Sequence, residues 1–352
     1  MMAWLQVAIV FSVIILVHEF GHFLLARRVG VKIEIFSFGF GPRLFSFKRD
    51  DIEYRISAIP FGGYIKMAGD DPAEERKGEP WEFLSQSVGN RLKIVFAGPL
   101  LNYILGFILF SLVFYMGYPT LSTKIGDLLD GYPAKKSGIR VGDEIIAIDG
   151  KPARHWEEIT EIIHKKTEGS LTLTLNRSGS EIIVTLTPLV KSTKDLLGRT
   201  IKIGLIGIAP SEKIEYVKYG MLKSFELGFE RLMKITVLTY QGLWRILTGA
   251  MSFRESAAGP IGIFNIMVSV AKIGIIPLLQ LTAYLSALLT IFNVLPIPAL
   301  DGGHMMFLFL EKVRGKPVSR RAQEIATQVG MTFLIALMLF VSYNDILRLL
   351  KK

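Results

Sequence analysis

Four long apolar stretches constrain this 352-residue chain more than any other feature of its sequence. They cover residues 2–26, 94–118, 275–295 and 330–341, the last with an extension towards residue 350. About 20 apolar residues in a helix cross the hydrocarbon layer of a bilayer, and a helix satisfies its own backbone hydrogen bonds there. The sequence therefore predicts a multi-pass α-helical membrane protein with four transmembrane helices.

Two of these stretches depart from a simple span. The first could be taken for a signal peptide, but it lacks a basic start and a small-residue cleavage site, so we expect it to be retained as a helix. The fourth is the least regular, because Asn344, Asp345 and Arg348 shorten its apolar part.

The first stretch carries the motif H-E-x-x-H at His18, Glu19 and His22. At 3.6 residues per turn, both histidines lie on one face of a helix and can bind one zinc ion, with Glu19 beside the remaining position. A solvated surface helix is the alternative, but residues 4–17 lack the polar face that such a helix needs. Ionisable residues at hydrocarbon depth indicate a functional site, here a metal-activated water and its general base.

A second motif follows the third stretch and reads N-V-L-P-I-P-A-L-D-G-G-H from Asn293 to His304. Pro296 and Pro298 cannot continue a regular helix, so the sequence predicts a break here. Irregular backbone at membrane depth is tolerated where protein or a water-filled cavity satisfies it. The break is therefore expected to line a polar site.

Asp301 is the expected third zinc ligand, because two histidines and a carboxylate leave one position open for water. His304 is a rival ligand, ranked lower because the pair Gly302 and Gly303 is expected to redirect the chain beyond the carboxylate. Asn293 either donates a hydrogen bond to a substrate carbonyl or serves as an amide between helices.

Basic residues in the short connections predict which side of the membrane each loop faces. Arg27 and Arg28 follow the first stretch, Arg91 and Lys93 precede the second, and five basic residues lie between positions 312 and 321. Short loops rich in lysine and arginine are cytoplasmic. The region between the second and third stretches is then extracytoplasmic, and the H-E-x-x-H site lies towards the cytoplasm.

Composition excludes several classes of function. The net charge is +10, but no nucleic-acid-binding motif accompanies it, so we expect no nucleic acid partner. The chain has no cysteine, which excludes disulfides, thiolate zinc ligands and a thiol nucleophile. Any metal must therefore be bound by His, Asp or Glu.

Strand-like alternation between residues 33 and 67 predicts a small β-sheet, with turns at 39–42 and 49–51. Its phenylalanines suit a hairpin that dips into the membrane, although a hairpin that only packs the core is equally compatible. Residues 121–188 are soluble in character, with a helix expected at 156–165 and strands at 171–177 and 182–186. Residues 212–253 predict a mixed helix that either lies at the membrane interface or packs on this outer domain.

Together the two motifs resemble the site-2 protease family of intramembrane zinc metallopeptidases (peptidase M50), whose pattern is H-E-x-x-H in one core helix and N-x-x-P-x-P-x-L-D-G in another. F-A-G-P-L-L-N at 96–102 and G-P-I-G at 259–262 are further matches. The arrangement is most similar to the bacterial branch that contains the regulator of sigma-E protease. The resemblance implies His18, His22 and Asp301 as Zn²⁺ ligands, Glu19 as general base and Asn293 as a substrate contact.

The resemblance also implies a membrane-re-entrant β-hairpin at 33–67 and one α+β PDZ domain, which adds a peptide strand to an exposed sheet edge. Relatives of the enterobacterial type carry two PDZ domains, whereas only one is recognisable here. The expected segments are transmembrane helix 1 with H-E-x-x-H (1–26), a cytoplasmic β-rich segment (27–93), transmembrane helix 2 (94–118), the PDZ domain (119–190), a linker with an amphipathic helix (191–274), transmembrane helix 3 with the second motif (275–310), a cytoplasmic basic loop (311–329) and transmembrane helix 4 (330–350).

The expected function is cleavage of transmembrane segments of single-span proteins, such as an anti-sigma factor, or of remnant signal peptides, in a bacterial inner membrane. Its partners are then those substrates, the lipid bilayer and peptides held by the PDZ domain. Two other classes stay open: a membrane-anchored PDZ scaffold without activity, and a zinc transporter.

Overall fold

The computed structural model describes residues 2–70, 78–195, 197–253 and 258–350. The elements in chain order are α1 (Met2–Arg28), β1 (Ile33–Arg49), β2 (Ile52–Met67), a 3₁₀ turn (Phe83–Ser85), α2 (Val88–Met116), β3 (Tyr118–Leu121), β4 (Ile125–Leu128), α3 (Pro133–Lys136), β5 (Glu144–Ile148), β6 (Lys151–Pro152), α4 (Trp156–Lys165), β7 (Leu171–Arg177), β8 (Ser180–Leu186), β9 (Leu189–Lys194), β10 (Thr200–Leu205), β11 (Ile208–Pro210), β12 (Ile214–Val217), α5 (Met221–Leu247), α6 (Pro260–Ile273), α7 (Ile275–Val294), α8 (Asp301–Arg314) and α9 (Arg320–Leu350).

The chain forms two compact units. The helical unit comprises Met1–Leu112, Phe225–Tyr240 and Ser252–Lys352, and the β unit comprises Val113–Ser224 and Gln241–Met251. The candidate metal ligands all belong to the helical unit, so that unit is described first.

Four helices are long and apolar enough to cross a membrane, as the sequence predicts: Ala3–Arg28, Val88–Met116, Ile275–Val294 and Arg320–Leu350. The starts of two helices differ from the prediction by more than one helical turn. The second helix begins at Val88 rather than at 94, and the fourth at Arg320 rather than at 330. The first turns of both helices contain charged residues. Hydropathy detects only the apolar part of a helix, so the prediction placed both starts too late.

The segment predicted over 275–310 contains two helices, α7 and α8, separated by a break at 295–300. The position of the break agrees with the prediction from the proline pair. Ala299 has φ +91°, a left-handed conformation that is rare for a residue with a side chain. The chain therefore turns sharply here before α8 begins at Asp301.

The short helix α6 joins α1 and α7 in one apolar core. Val7, Val10 and Ile14 of α1 pack with Met267 of α6 and Leu278 of α7. Only Gly274 separates α6 from α7, and its φ of +151° provides a turn that a residue with a side chain adopts with difficulty.

A buried carboxylate explains one of the polar residues that interrupt the last apolar stretch. Asp345 of α9 accepts hydrogen bonds from the backbone N–H groups of Gly259, at 3.1 Å, and Gly262, at 2.7 Å. These groups lie at the start of α6, where a helix leaves N–H groups without intrahelical partners. A Cβ atom on Gly259 would lie 2.6 Å from Asp345 Oδ2, so the glycines admit the carboxylate.

The helix predicted between 212 and 253 is α5, which divides between the two units. Its middle packs lengthwise on α2: Gly228 lies against Ser111, and Thr236 hydrogen-bonds Tyr103 at 2.8 Å. Its last turns belong to the β unit. The middle of α5 thus packs along α2, and its location at a membrane interface stays a prediction.

The β-rich segment forms one sheet from β1 and β2. The turn predicted at 49–51 is present, where Asp50 and Asp51 both have positive φ. The turn predicted at 39–42 is also present, although it lies within the bounds of β1: the register of β1 against β2 reverses between Phe38 and Arg43, and Gly39 and Gly41 have positive φ. The first half of β1 pairs on two sides, since Phe36 is opposite both Tyr54 and Ile65.

The β unit is built on the antiparallel sheet β6-β5-β7-β8. Its buried residues include Ile145, Ile148 and Leu173 from the sheet and Ile159 and Ile163 from α4. The helix at 156–165 and the strand at 171–177 have the predicted bounds, and β8 begins at Ser180, before the predicted 182.

One ion pair supports this unit. The Arg177 guanidinium donates to both carboxylate oxygens of Asp143, each at 2.7 Å, and holds the pKa of that carboxyl below its usual range, although burial opposes the shift. Since the folded-state pKa is depressed, the pair stabilises the unit above about pH 4, and this contribution is lost as the pH falls through the folded-state pKa.

Asp143→Ala is expected to destabilise the β unit by about 3 kcal/mol, because it leaves the guanidinium without its buried partner. Hydrogen exchange of β-unit peptides in the full chain measures this. Asp130→Ala is the matched control, since Asp130 is 87 % exposed in its pair with Lys135 and is expected to cost less than about 1 kcal/mol. Equal protection in both variants would contradict the assignment.

Candidate metal centre

Two histidines of α1 and one carboxylate of α8 meet in the helical unit. The Nε2 atoms of His18 and His22 lie 3.3 Å apart. Asp301 Oδ2 lies 3.1 Å from His18 Nε2, and Asp301 Oδ1 lies 3.7 Å from His22 Nε2. Both histidines are buried, and Asp301 is partly buried. The three predicted ligands, separated by nearly three hundred residues of sequence, therefore converge.

The donor set fits zinc. Zinc bonds of about 2.0–2.1 Å at tetrahedral angles place ligand atoms roughly 3.3–3.4 Å apart, close to the separations seen here. Within the described residues, the three make the one group of His, Asp or Glu ligand atoms that could hold a metal, all within 4.8 Å of one another. Asp301 Oδ2 is buried and has no hydrogen-bond donor among the described residues, as expected of an oxygen that faces a cation.

A backbone carbonyl fixes the tautomer of His22. Its Nδ1 donates to the carbonyl oxygen of Ile94 in α2, at 2.9 Å, and a carbonyl can only accept. Nδ1 therefore carries the proton, and the lone pair of Nε2 is directed towards His18 and Asp301. Orientation of a ligating imidazole through its other ring nitrogen is the usual arrangement in metal sites.

Close contact between α1 and α2 makes this hydrogen bond possible. A Cβ atom on Gly21 would lie 2.3 Å from the carbonyl oxygen of Ala97, and a Cβ atom on Gly98 would lie 2.2 Å from His22 Nε2. Neither position can hold a side chain without moving a helix or the imidazole. Gly21 is an unspecified position of H-E-x-x-H, whereas here the packing requires it.

Backbone packing also positions Asp301, in a way that corrects the role expected for Gly302 and Gly303. Both lie in the first turn of α8 and do not redirect the chain. A Cβ atom on Gly302 would lie 2.0 Å from the carbonyl oxygen of Leu295, and one on Gly303 2.5 Å from that of Ile297. The glycines let α8 start directly against the break, which holds Asp301 near the histidines.

Glu19 lies beside the three candidate ligands, next to strand β2. It accepts a hydrogen bond from the backbone N–H of Ile65. A Cβ atom on Gly63 would lie 3.5 Å from Glu19 Cγ and 2.8 Å from the carbonyl oxygen of Ser37. The β-sheet thus reaches the candidate site, with a glycine at the point of closest approach.

A cavity of about 700 Å³ opens beside these residues. His18, Glu19, His22 and Asp301 line it, and so does His304, which is exposed and outside the cluster of ligand atoms. Asn293 lies on the last turn of α7 and is not among the lining residues. Four of the five residues chosen from the sequence therefore line the cavity, and Asn293 does not.

Sequence reasoning missed two further cavity residues, Arg91 and Glu311. Arg91 entered the topology argument only as a loop charge, whereas it lies in α2, is buried and pairs with Glu311 of α8. Arg91 shortly precedes an apolar run, and Glu311 directly follows one. This position next to an apolar run is the one signal in the sequence that distinguishes them from other charged residues.

The family comparison agrees with the motifs. The model of peptidase family M50 matches residues 6–337. The chain belongs to peptidase family M50. The regulator of sigma-W protease RasP of Bacillus subtilis is 31% identical over 97% of each chain. The zinc metalloprotease RasP of Bacillus licheniformis is 30% identical over 97% of this chain and 98% of its own. The protein is a zinc metalloprotease, as the sequence predicts.

A solved structure is also similar to part of the chain. The PDZ domain of the SdrC-like protein from Listeria monocytogenes has 20% sequence identity and a TM-score of 0.20, and the match covers 26% of this chain and 88% of that domain.

Gly98→Ala is expected to displace the His22 imidazole and to weaken zinc affinity by at least about tenfold, the loss typical of a disturbed ligand orientation. Competition with a chelator measures the affinity of the purified protein. Gly89→Ala is the matched control on the same helix, because no atom of the described residues lies within 4 Å of a Cβ atom there. Wild-type zinc affinity in Gly98→Ala would contradict the packing argument.

Proposed function

We propose that this metalloprotease is an intramembrane endopeptidase that cleaves transmembrane segments of single-span proteins. The convergence of His18, His22 and Asp301 carries this proposal, since the histidines lie within a helix apolar enough to cross a membrane. Ionisable side chains at such depth are costly unless they serve a function.

His18, His22 and Asp301 would hold the zinc ion and leave one position open. Zinc in such a site polarises a carbonyl and lowers the pKa of water. Glu19 takes the proton of the attacking water and passes it to the leaving amine, the work of a general base and acid. Its hydrogen bond with the N–H of Ile65 keeps the carboxylate at the cavity wall.

The edge of strand β2 offers a place for the substrate backbone. A transmembrane helix hides its carbonyls in its own hydrogen bonds, so the substrate must unwind before one carbonyl can react. Ile65 pairs with Phe36 on one side, and its N–H points to Glu19. An opened substrate segment added to this edge would lie beside the catalytic carboxylate.

The other expected features follow as parts of the same proposal. The four apolar helices span a bacterial inner membrane, with the basic loops and the metal site towards the cytoplasm. Asn293 is proposed to contact the substrate from the end of α7.

The β unit is proposed to be an extracytoplasmic PDZ domain that docks peptides. A cavity of about 220 Å³ in this unit suits that role, with Tyr132, Trp156, Ile163, Ile206 and Ile208 among its lining residues.

An anti-sigma factor is the proposed physiological substrate class, with remnant signal peptides as a second. The name of the Bacillus subtilis relative as a regulator of sigma-W protease supports the first.

Glu19→Gln is expected to lower cleavage of a single-span substrate in proteoliposomes by about 10²–10⁴-fold, because an amide cannot accept the proton. Glu34→Gln is the matched control, since Glu34 pairs with Lys66 on the same β-sheet. Equal cleavage by Glu19→Gln and wild type would exclude the mechanism. If the wild-type protein transported zinc without cleaving the substrate, a transporter would be favoured. If it showed neither activity, a scaffold would be favoured.

Asp301→Ala is expected to abolish stoichiometric zinc binding, whereas His304→Ala is expected to retain it, because His304 lies outside the cluster of ligand atoms. Elemental analysis of the two purified variants measures this. The reverse result would assign His304 as the third ligand.

A further inference from the structure

A buried ion pair connects α2 with α8 at the wall of the cavity. Arg91 Nη1 donates to Glu311 Oε2 at 3.1 Å, and Arg91 Nη2 donates to Glu311 Oε1. Arg91 Nε also donates to the carbonyl oxygen of Gln86 at 3.1 Å. The two side chains are 9% and 15% exposed. This bidentate ion pair fixes both the distance and the relative orientation of the guanidinium and the carboxylate.

Each of these two helices holds one side of the candidate metal centre. Ile94, one turn beyond Arg91 on α2, accepts the hydrogen bond of His22. Asp301 begins α8, and Glu311 lies near its end. The separation of His22 from Asp301 therefore depends on how α2 and α8 are placed.

Apolar packing does little to place α8. Its buried residues are Gly302, Gly303 and Leu308, while Phe309 and Val313 are 64% and 69% exposed. The glycines hold only the first turn against the break. In the described part of the chain, no apolar residue of α8 beyond Leu308 is buried, and Glu311 connects this last turn to α2.

We propose that Arg91 and Glu311 are positioning residues for the metal centre: their ion pair fixes α8 against α2 and so holds Asp301 at ligand distance from His22. The inference rests on the proposed metal site. A buried ion pair seldom adds net stability over an apolar pair of similar size, so its use here lies in specifying one placement of the helices.

Glu311→Gln tests the pair, because the amide keeps the shape but loses the charge and one acceptor. The zinc dissociation constant, measured by competition with a chelator, is expected to rise about 10–100-fold, the usual effect of disturbing groups that support metal ligands. The kcat for cleavage is expected to fall by a similar factor, with KM changed less than about twofold.

Two further variants separate positioning from simple loss of structure. Arg91→Lys keeps the charge but cannot reproduce the two-pronged geometry, so a rise in the zinc dissociation constant of about tenfold is expected. The exchange Arg91→Glu with Glu311→Arg restores the pair with reversed sign and is expected to recover zinc affinity to within about threefold of wild type.

The matched control is Glu324→Gln. Glu324 pairs with Arg320, a residue that also lines the cavity, but both side chains are about half exposed. Zinc affinity and the unfolding temperature are expected to equal those of wild type.

The outcomes are distinguishable. A wild-type protein that binds no zinc overturns the proposed function itself. Wild-type zinc affinity in Glu311→Gln overturns this inference alone. A lower unfolding temperature in Glu311→Gln without restored zinc affinity in the exchanged pair shows a structural role and also overturns it. If Glu311→Gln does not fold, Arg91→Lys replaces it in this test, and wild-type zinc affinity in Arg91→Lys then overturns this inference.

Discussion

The contact between α1 and α2 is the constraint on which the rest of the helical unit depends. Ala97 and Gly98 lie so close to Gly21 and His22 that no Cβ atom fits between the helices. Small residues permit such approach in membranes, where apolar side chains gain little by leaving lipid for protein. The approach brings the Ile94 carbonyl to the His22 ring and thereby selects the tautomer able to bind a metal. This contact fixes the orientation of the His22 ring. Asp301 on α8 and the β2 edge at Glu19 must therefore be positioned to match it.

Polar contacts specify the arrangement of helices that apolar packing leaves free. Ser286 and Thr290 of α7 donate to the carbonyl oxygens of Asn102 and Pro99 in α2, at 2.9 and 3.0 Å. Asp345 joins α9 to the start of α6 in the same way. An apolar side chain can turn towards lipid or protein at similar cost, whereas a buried carboxylate or hydroxyl needs one particular partner. These bonds explain why polar residues occur inside otherwise apolar helices.

Local patterns predicted much of this fold, and long-range contacts account for what they missed. Hydropathy located four apolar helices because length and composition alone decide that property. Pro296 and Pro298 located the break. The role predicted for Gly302 and Gly303 was wrong. The sequence does not distinguish a glycine that allows a neighbouring backbone to approach from a glycine that turns the chain. The hydrogen-bond partners of Asp345 and Arg91 could not be predicted from local patterns, because Gly259 and Glu311 lie far from them in the sequence. Ligand roles stay predictions, although the geometry of His18, His22 and Asp301 supports them.

The order of the candidate ligands along the chain has a consequence for biosynthesis. His18 and His22 belong to α1, whereas Asp301 belongs to α8, which follows the third apolar helix. Between the synthesis of His22 and that of Asp301, the nascent chain holds an incomplete set of candidate donors. The zinc metalloprotease therefore cannot assemble its candidate metal centre until synthesis has passed Asp301. The distance between the two motifs serves as a built-in delay.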